Sequence, residues 1–118
     1  MSDCLFCGIV SGDVPADRVA ENDAAVSFRD INPEAPTHVL VIPRAHLRNV
    51  AAVADAEPDT LVAMLRLAKE VAESEGIAGD GETQGYRLVA NTGPYAHQTV
   101  FHAHLHLLGG RRMGWPPG

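Results

Sequence analysis

The sequence predicts an α+β domain in which an antiparallel sheet of about five strands is combined with one long and one short helix. Short segments of strand character lie before and after one long segment with helical spacing. The chain has 118 residues, of which 46% are hydrophobic and 20% are charged, as expected for one compact domain of ordinary size. We therefore predict a single domain over residues 1–118, with residues 111–118 as an irregular C-terminal tail.

The first part of the chain is predicted to form a helical turn and three strands. Residues 3–10 precede a turn rich in glycine and proline, which is typical of a short helical turn. Residues 18–21 and 25–30 flank a polar turn pair and are typical of a β-hairpin with partial alternation. Residues 37–42 are rich in β-branched side chains and end at a proline, which predicts a buried central strand.

The second part of the chain is predicted to form the helices and two more strands. A short helix follows His46, and the long helix runs from Pro58, since proline is tolerated in a first turn, until Gly76 stops it. A polar loop rich in glycine then leads to predicted strands at residues 86–91 and 99–108. This order of strands, helix and strands favours an antiparallel sheet.

The charge balance argues against a nucleic acid polymer as the partner. Nine basic and fifteen acidic side chains leave a formal net charge of -6, so a polyanion is repelled in most orientations, while a single phosphate can still bind at local donors. The opening Met1-Ser2-Asp3-Cys4 lacks the basic and apolar parts of a signal peptide, and no apolar run approaches the roughly 20 residues of a membrane span. We expect a cytoplasmic protein that does not bind membranes.

Three of the six histidines alternate along the last predicted strand, at His102, His104 and His106. Alternate residues of a strand lie on one face, so the three imidazoles are predicted to share a surface. One metal ion cannot readily bind all three, because the outer pair is roughly 13 Å apart along a strand. The spacing favours a nucleophilic middle histidine whose tautomer a neighbour fixes. For a histidine elsewhere, such as His38, a structural role in the core is the favoured interpretation.

The two cysteines form a second group with possible chemistry. Cys4 and Cys7 are spaced Cys-x-x-Cys, which supplies half of a tetrahedral zinc site whose missing ligands should be imidazoles. The alternatives are two buried thiols that only pack and a redox-active pair. The redox pair is less favoured, because no strand precedes Cys4 to form the usual strand-to-helix setting.

Several further motifs stand in register along nearly the whole chain. They are Phe28-Arg29-Asp30-Ile31-Asn32-Pro33, Ala35-Pro36-Thr37-His38-Val39-Leu40-Val41-Ile42-Pro43, Asn91-Thr92-Gly93, Gln98-Thr99, Gly109-Gly110 and the terminal Trp115-Pro116-Pro117-Gly118. Together with the alternating histidines, this set resembles the histidine triad nucleotide-binding family, and within it the purine nucleoside phosphoramidase branch. The resemblance implies that family's α+β fold for the whole chain.

The resemblance also implies catalytic roles for the histidines. By this likeness, His104 attacks the α-phosphorus of a purine nucleotide and forms a covalent nucleotidyl-histidine, which water then cleaves. His106 and backbone N–H groups hold the phosphate oxygens, and His102 is the first member of the triad. Thr99 stands where the phosphoramidase branch usually has serine, and its hydroxyl keeps the ability to assist the leaving group.

Nucleotide-binding positions follow from the same resemblance. Asp30 corresponds to the family's ribose-binding acid, whose two carboxylate oxygens can accept from both hydroxyls of a cis-diol. Phe28 and Ile31 correspond to residues that pack on the purine, although apolar residues here could equally be ordinary core. The positions implied near the ribose and phosphate are Asn91, His97, Gln98 and Thr99. The family usually has a small residue in place of His97, which could narrow the pocket, contact phosphate when protonated, or face solvent.

Two further expectations come from the family likeness. The remaining ligands of a zinc site would be His46 and His102, so that zinc ties the N-terminus to the catalytic segment. The family also implies a homodimer in which the long helix and a sheet edge meet their copies, with the tail near the partner's pocket. Hydrolysis of phosphoramidates is the first functional hypothesis; a dinucleoside polyphosphate hydrolase and a nucleotide-binding regulatory module with incidental activity are the alternatives.

Overall fold

We describe residues 4–118 of the protein from a computed structural model. Five strands lie in these residues: β1 (Arg18–Glu21), β2 (Ala25–Arg29), β3 (Thr37–Pro43), β4 (Tyr86–Val89) and β5 (Leu105–Gly109). They form one sheet in the order β1-β2-β3-β5-β4, and each neighbouring pair is antiparallel. The predicted fold class is confirmed, and β3 is the central strand.

Three α-helices lie in the same part of the chain: α1 (Leu5–Ser11), α2 (Val50–Ala56) and α3 (Pro58–Ser74). The last two are the predicted short and long helices, and α3 has proline in its first turn as expected. The helical turn predicted over residues 3–10 is a helix of about two turns. The first residue of that prediction, Asp3, lies outside the described residues.

The sheet separates two clusters of buried apolar side chains. One cluster lies between the sheet and the helices α2 and α3, and it includes Val39 and Val41 of the central strand. The other lies on the opposite face beneath α1, and it includes Leu40 and Ile42 of the same strand. Alternate residues of a strand point to opposite faces, so β3 contributes to both clusters and is buried along its whole length.

The last strand is shorter than the predicted span of residues 99–108. The ladder between β3 and β5 ends where Val41 pairs with Leu105. Two residues further along β3, Pro43 has no N–H to donate, and its carbonyl oxygen accepts from Nε2 of the His102 ring at 2.8 Å. The His102 side chain therefore donates to the Pro43 carbonyl in place of a backbone N–H, and residues 99–104 lie outside the sheet.

The alternation of the histidine segment persists beyond the end of the ladder. Ala103, Leu105 and Leu107 all belong to the cluster under α2 and α3. His102, His104 and His106 therefore share the opposite face, which is the face of α1. This agrees with the alternation in the sequence, although only His106 lies within the hydrogen-bonded strand.

The tail from residue 111 to residue 118 forms no helix or strand. Arg87 anchors it, because its guanidinium donates to the carbonyl of Gly114 at 2.7 Å and lies 5.9 Å from the centre of the Trp115 ring. Within residues 4–118 no helix is long and apolar enough to cross a membrane. The limits of the domain stay a prediction.

Candidate active site and metal centre

A cavity of about 320 Å³ opens on the face of the sheet that carries α1 and the histidines. Its lining consists of Leu5, Phe6, Ile9, Val14, Pro15, Ala16, Phe28, Asp30, Ile31, Leu40, Thr99, Val100, His104 and His106. A larger groove of about 520 Å³ lies between β4 and the tail, but no histidine lines it. An apolar cavity with a few convergent polar groups is the usual form of a small-molecule site, so the chemistry belongs to the smaller cavity.

His104 is held in one tautomer by the backbone. Its Nδ1 atom lies 2.8 Å from the carbonyl oxygen of His102, and only 7% of the residue is exposed. A carbonyl oxygen only accepts, so Nδ1 carries the proton and donates. The other nitrogen, Nε2, is then unprotonated in the neutral ring, which is the state that a nucleophile requires.

A chain of hydrogen bonds fixes the second cavity histidine. The N–H of Glu34 donates to Nδ1 of His38 at 3.0 Å, so the neutral His38 ring carries its proton on Nε2. That Nε2 donates to Nδ1 of His106 at 2.9 Å and lies 3.5 Å from Oδ2 of Asp30. His106 therefore accepts at Nδ1 and carries its own proton on Nε2, where it can donate.

Burial is the main cause of an unusual pKa at His106. Burial, followed by the charges that His104 and His38 carry when protonated, lowers the pKa of His106 to about 4, against the opposing effect of Asp30. His106 is thus neutral near pH 7, and it is a neutral donor rather than an imidazolium.

His38 is a residue of this site that the sequence interpretation missed. We expected a structural role in the core, and the ring is indeed buried. The strand register nevertheless pairs His106 with Leu40, two residues from His38 on the same face of β3. The even-numbered residues of β3 and β5 share one face of the sheet, and this could have pointed to His38. It becomes visible only when the register of β3 against β5 is known.

The predicted ribose and base residues lie together at the cavity. Oδ1 of Asp30 accepts from the N–H of Asn32 at 2.8 Å, which fixes the carboxylate at the rim. Ile31 is 90% exposed at the mouth, whereas Phe28 is buried in the floor. An exposed large apolar side chain beside a cavity is more informative than a buried one, because a ligand ring can cover it.

The predicted phosphate residues are divided. Thr99 lines the cavity, whereas Asn91, His97 and Gln98 are not among its lining residues. The side chain of Gln98 is buried and fully bonded: its Oε1 accepts from the N–H of Gly93 at 2.8 Å, and its Nε2 donates to the carbonyls of Arg48 and Val100. It braces the loop that carries Thr99. His97 is exposed and has a left-handed backbone with φ 65°.

Cys4, Cys7, His46 and His102 form a cluster that fits one metal ion. Their ligand atoms all lie within 4.8 Å of one another. Nδ1 of His46 lies 3.3 Å from Sγ of Cys7 and 3.2 Å from Nδ1 of His102. Bonds of about 2.0–2.3 Å to a tetrahedral ion place nitrogen and sulfur ligands roughly 3.3–3.8 Å apart.

The orientation of His102 supports the fit. Its Nε2 donates to the carbonyl of Pro43, so Nδ1 has the lone pair and faces the sulfur atoms of Cys4 at 3.4 Å and Cys7 at 3.5 Å. Burial lowers the pKa of His102, which keeps that lone pair available. The first histidine of the segment thus belongs to the Cys/His cluster, while the other two line the cavity.

The fold and the site define a class of protein: a small α+β domain with a histidine-bearing strand beside a cavity and a Cys/His cluster at its N-terminal helix. Comparison with known families agrees, because the HIT domain matches residues 11–113. The chain belongs to the HIT family, as the sequence motifs indicated.

Relatives extend along almost the whole chain. A 14 kDa zinc-binding protein of Zea mays is 43% identical over 99% of this chain and 89% of its own length. The adenylylsulfatase HINT1 of Arabidopsis thaliana is 41% identical over 99% of this chain and 78% of its own. Among solved structures, a HIT family hydrolase from Legionella pneumophila superposes with a TM-score of 0.90 at 46% identity. The superposition covers 98% of this chain and 100% of the hydrolase chain.

Proposed function

We propose that this protein hydrolyses purine nucleoside phosphoramidates through a covalent intermediate on His104. The observation that carries the proposal is the hydrogen bond from Nδ1 of His104 to the carbonyl of His102, because it leaves Nε2 unprotonated beside the cavity. The names of the relatives, a hydrolase and an adenylylsulfatase, support hydrolysis at a nucleotide phosphorus.

The reaction has two displacements. In the first, Nε2 of His104 forms a bond to the α-phosphorus, and the P–N bond to the amine breaks; the amine leaves with the electron pair and takes up a proton from solvent by way of the Thr99 hydroxyl. In the second, water forms a bond to phosphorus and releases a proton to solvent, the bond to Nε2 of His104 breaks with its electron pair returning to the ring, and the nucleoside monophosphate departs. Dividing one difficult step into two lowers the barrier of each. Nε2–H of His106 donates to a phosphate oxygen, and Thr99 assists the leaving amine.

The cavity supports a purine ribonucleotide as the substrate. The carboxylate of Asp30 at the rim suits the two hydroxyls of a ribose, and Ile31 with Phe28 offers apolar surface to a flat base. Contacts of the phosphate with Asn91 and with the backbone of His97 and Gln98 remain part of the proposal.

We propose zinc as the ion of the Cys/His cluster. Two thiolates and two imidazoles form a donor set that structural zinc sites prefer. The match to the zinc-binding relative of Zea mays extends over 99% of this chain. Zinc supplies charge and geometry there and no step of the hydrolysis. Reduced thiolates fit a reducing compartment, so we also propose a cytoplasmic location.

We propose a homodimer built on α3 and the edge strand β4. Within residues 4–118, β4 is the last strand of the sheet, so one side of it has no strand partner there. Val62 and Leu65 on α3 and Tyr86 on β4 are large apolar residues that are exposed. A Leu65→Glu substitution should convert the dimer to a monomer in analytical ultracentrifugation, and a monomeric wild type would refute the proposal.

A substrate panel tests the proposed activity. We expect hydrolysis of an adenosine phosphoramidate to exceed that of a diadenosine polyphosphate by at least about tenfold in kcat/KM. The reverse order would favour the dinucleoside polyphosphate hydrolase. Tight AMP binding with turnover below about once per minute, far under typical enzyme rates, would favour a nucleotide-binding regulatory module.

A further inference from the structure

The ring of Phe6 lies between the metal cluster and the proposed nucleophile. Phe6 belongs to α1 and stands between the cluster residues Cys4 and Cys7. Its ring meets the His102 ring edge-on at a centroid distance of 5.9 Å and the His104 ring at 5.2 Å with an interplanar angle of 87°. One buried aromatic ring, 4% exposed, therefore contacts both a metal ligand and the nucleophile.

The helix that carries Phe6 depends on contacts at its ends. It has seven residues, and a helix of that length does not persist in water by itself. At its C-terminal end, Gly12 adopts a left-handed conformation with φ 88°, and the Arg18 guanidinium donates to the carbonyls of Ile9 and Val10. At its N-terminal end lie Cys4 and Cys7, so metal binding fixes the start of the helix.

The same helix is a wall of the cavity. Leu5, Phe6 and Ile9 all line it. The helix also packs closely on Val14, another lining residue, because a Cβ added at Gly8 would lie 2.6 Å from the Val14 Cγ2 atom. A displacement of α1 therefore changes the shape of the cavity.

From these contacts we infer that Phe6 is a positioning residue that couples zinc binding at the Cys/His cluster to nucleotide binding in the cavity. Zinc fixes α1, α1 places the Phe6 ring, and the ring holds the His104 imidazole against the cavity. Coupling between two binding sites is reciprocal, so the nucleotide must tighten zinc binding by the same factor. The inference rests on the proposed function and on zinc as the ion.

A thermodynamic cycle on the full chain tests the coupling. The dissociation constant of AMP is measured by calorimetry for wild type and Phe6→Leu, each loaded with zinc and after chelation. We expect zinc to tighten AMP binding by at least about tenfold in wild type and by less than about threefold in Phe6→Leu. Leucine retains an apolar side chain but has no ring edge to contact the imidazoles.

Ile9→Val is the matched control. Ile9 lies in the same helix, the same apolar cluster and the same cavity wall, yet it has no aromatic ring that could meet an imidazole edge-on. We expect this variant to weaken AMP binding by a similar factor with and without zinc, so that the wild-type coupling persists. Loss of coupling in both variants would show a general loosening of the helix and would overturn the role of Phe6.

Reciprocity provides the readout if chelation unfolds the chain. The zinc affinity is then measured from the loaded protein by competition with a chelator, with and without saturating AMP. A factor that is equal in wild type and Phe6→Leu shows that coupling passes through global folding, and it overturns the inference. Zinc-loaded wild type that hydrolyses phosphoramidate with an AMP affinity independent of zinc overturns the inference alone. Absence of AMP binding overturns the proposed function as well.

Discussion

Nε2 of His38 lies 2.9 Å from Nδ1 of His106, joining the central strand to the histidine segment at the rim of the cavity. Because the N–H of Glu34 occupies the other nitrogen of His38, the proton of this hydrogen bond belongs to His38. The contact fixes which nitrogen of His106 carries a proton, and hence which side of that ring can donate to a ligand in the cavity.

Replacing His38 should therefore slow the reaction. The effect passes through His106, because His38 itself does not line the cavity. We expect His38→Ala to lower kcat by about 10- to 100-fold, the range seen when a supporting hydrogen bond to a functional histidine is removed. His38→Gln, whose amide N–H can donate from a similar position, should recover most of the rate. Steady-state kinetics of both variants provide the measurement, and equal losses in the two would show that the hydrogen bond is irrelevant.

Asp30 gives a prediction about the sugar. Asp30→Asn should weaken AMP binding by about 1.5–3 kcal/mol, since a carboxylate accepts from hydroxyls more strongly than an amide does. The affinity for dideoxy-AMP, which lacks the ribose hydroxyls, should hardly change. Calorimetry with both nucleotides separates the effects, and an equal loss for the two would assign Asp30 to holding His38 and Asn32 instead.

The low pKa of His106 predicts a pH dependence of stability. The folded protein has this pKa at about 4 rather than 6.5, so between these values the unfolded chain takes up a proton that the folded chain does not. The free energy of unfolding must therefore fall as the pH falls through that window. Between pH 7 and pH 5 we expect a loss of about 1–2 kcal/mol from this ring.

Urea denaturation at the two pH values measures this loss. His106→Gln removes the titrating group, so its stability should fall by less than that of wild type over the same interval. Burial also lowers the pKa of His102, which therefore contributes to the same loss of stability. The comparison between wild type and variant isolates the part of the loss that comes from His106. An identical loss in both proteins would contradict the lowered pKa.

The cluster at α1 predicts the metal content. We expect elemental analysis of wild type purified without chelator to find one zinc ion per chain. Cys7→Ser should abolish this zinc and should lower the melting temperature, because an ion that binds the folded state stabilises it. Ser11→Ala, at the other end of the same helix, should keep the zinc. Wild type that contains no zinc would refute the metal assignment.

The sequence predicted the fold through local patterns that the structure retains. The β-branched run before Pro43 is the central strand, and Pro58 begins the long helix. The predicted start of β5 at residue 99 was wrong, because a strand is defined by its partner. The ladder with β3 stops at Leu105, and beyond it the His102 ring bonds to the carbonyl of Pro43. Nothing in the sequence of residues 99–104 indicates that a side chain replaces the backbone hydrogen bond there.

The site was predicted less completely for the same reason. Alternation placed His102, His104 and His106 on one face, but the sequence could not divide them between a cavity and a metal cluster by spacing alone. His38 was missed because its partner, His106, lies 68 residues away in the sequence. The proposed role of Phe6 could not be inferred from the sequence either, since the position of its ring between two imidazoles depends on how α1 packs on the sheet.

Trapping the covalent intermediate is the most direct test of the account. Wild type mixed with an adenosine phosphoramidate and quenched within one turnover should gain the mass of one adenylyl group, and peptide mapping should place it on His104. His104→Ala should bind AMP but should neither acquire the label nor turn over. Turnover that persists in His104→Ala, or a label on a different residue, would contradict the assignment of His104 as the nucleophile.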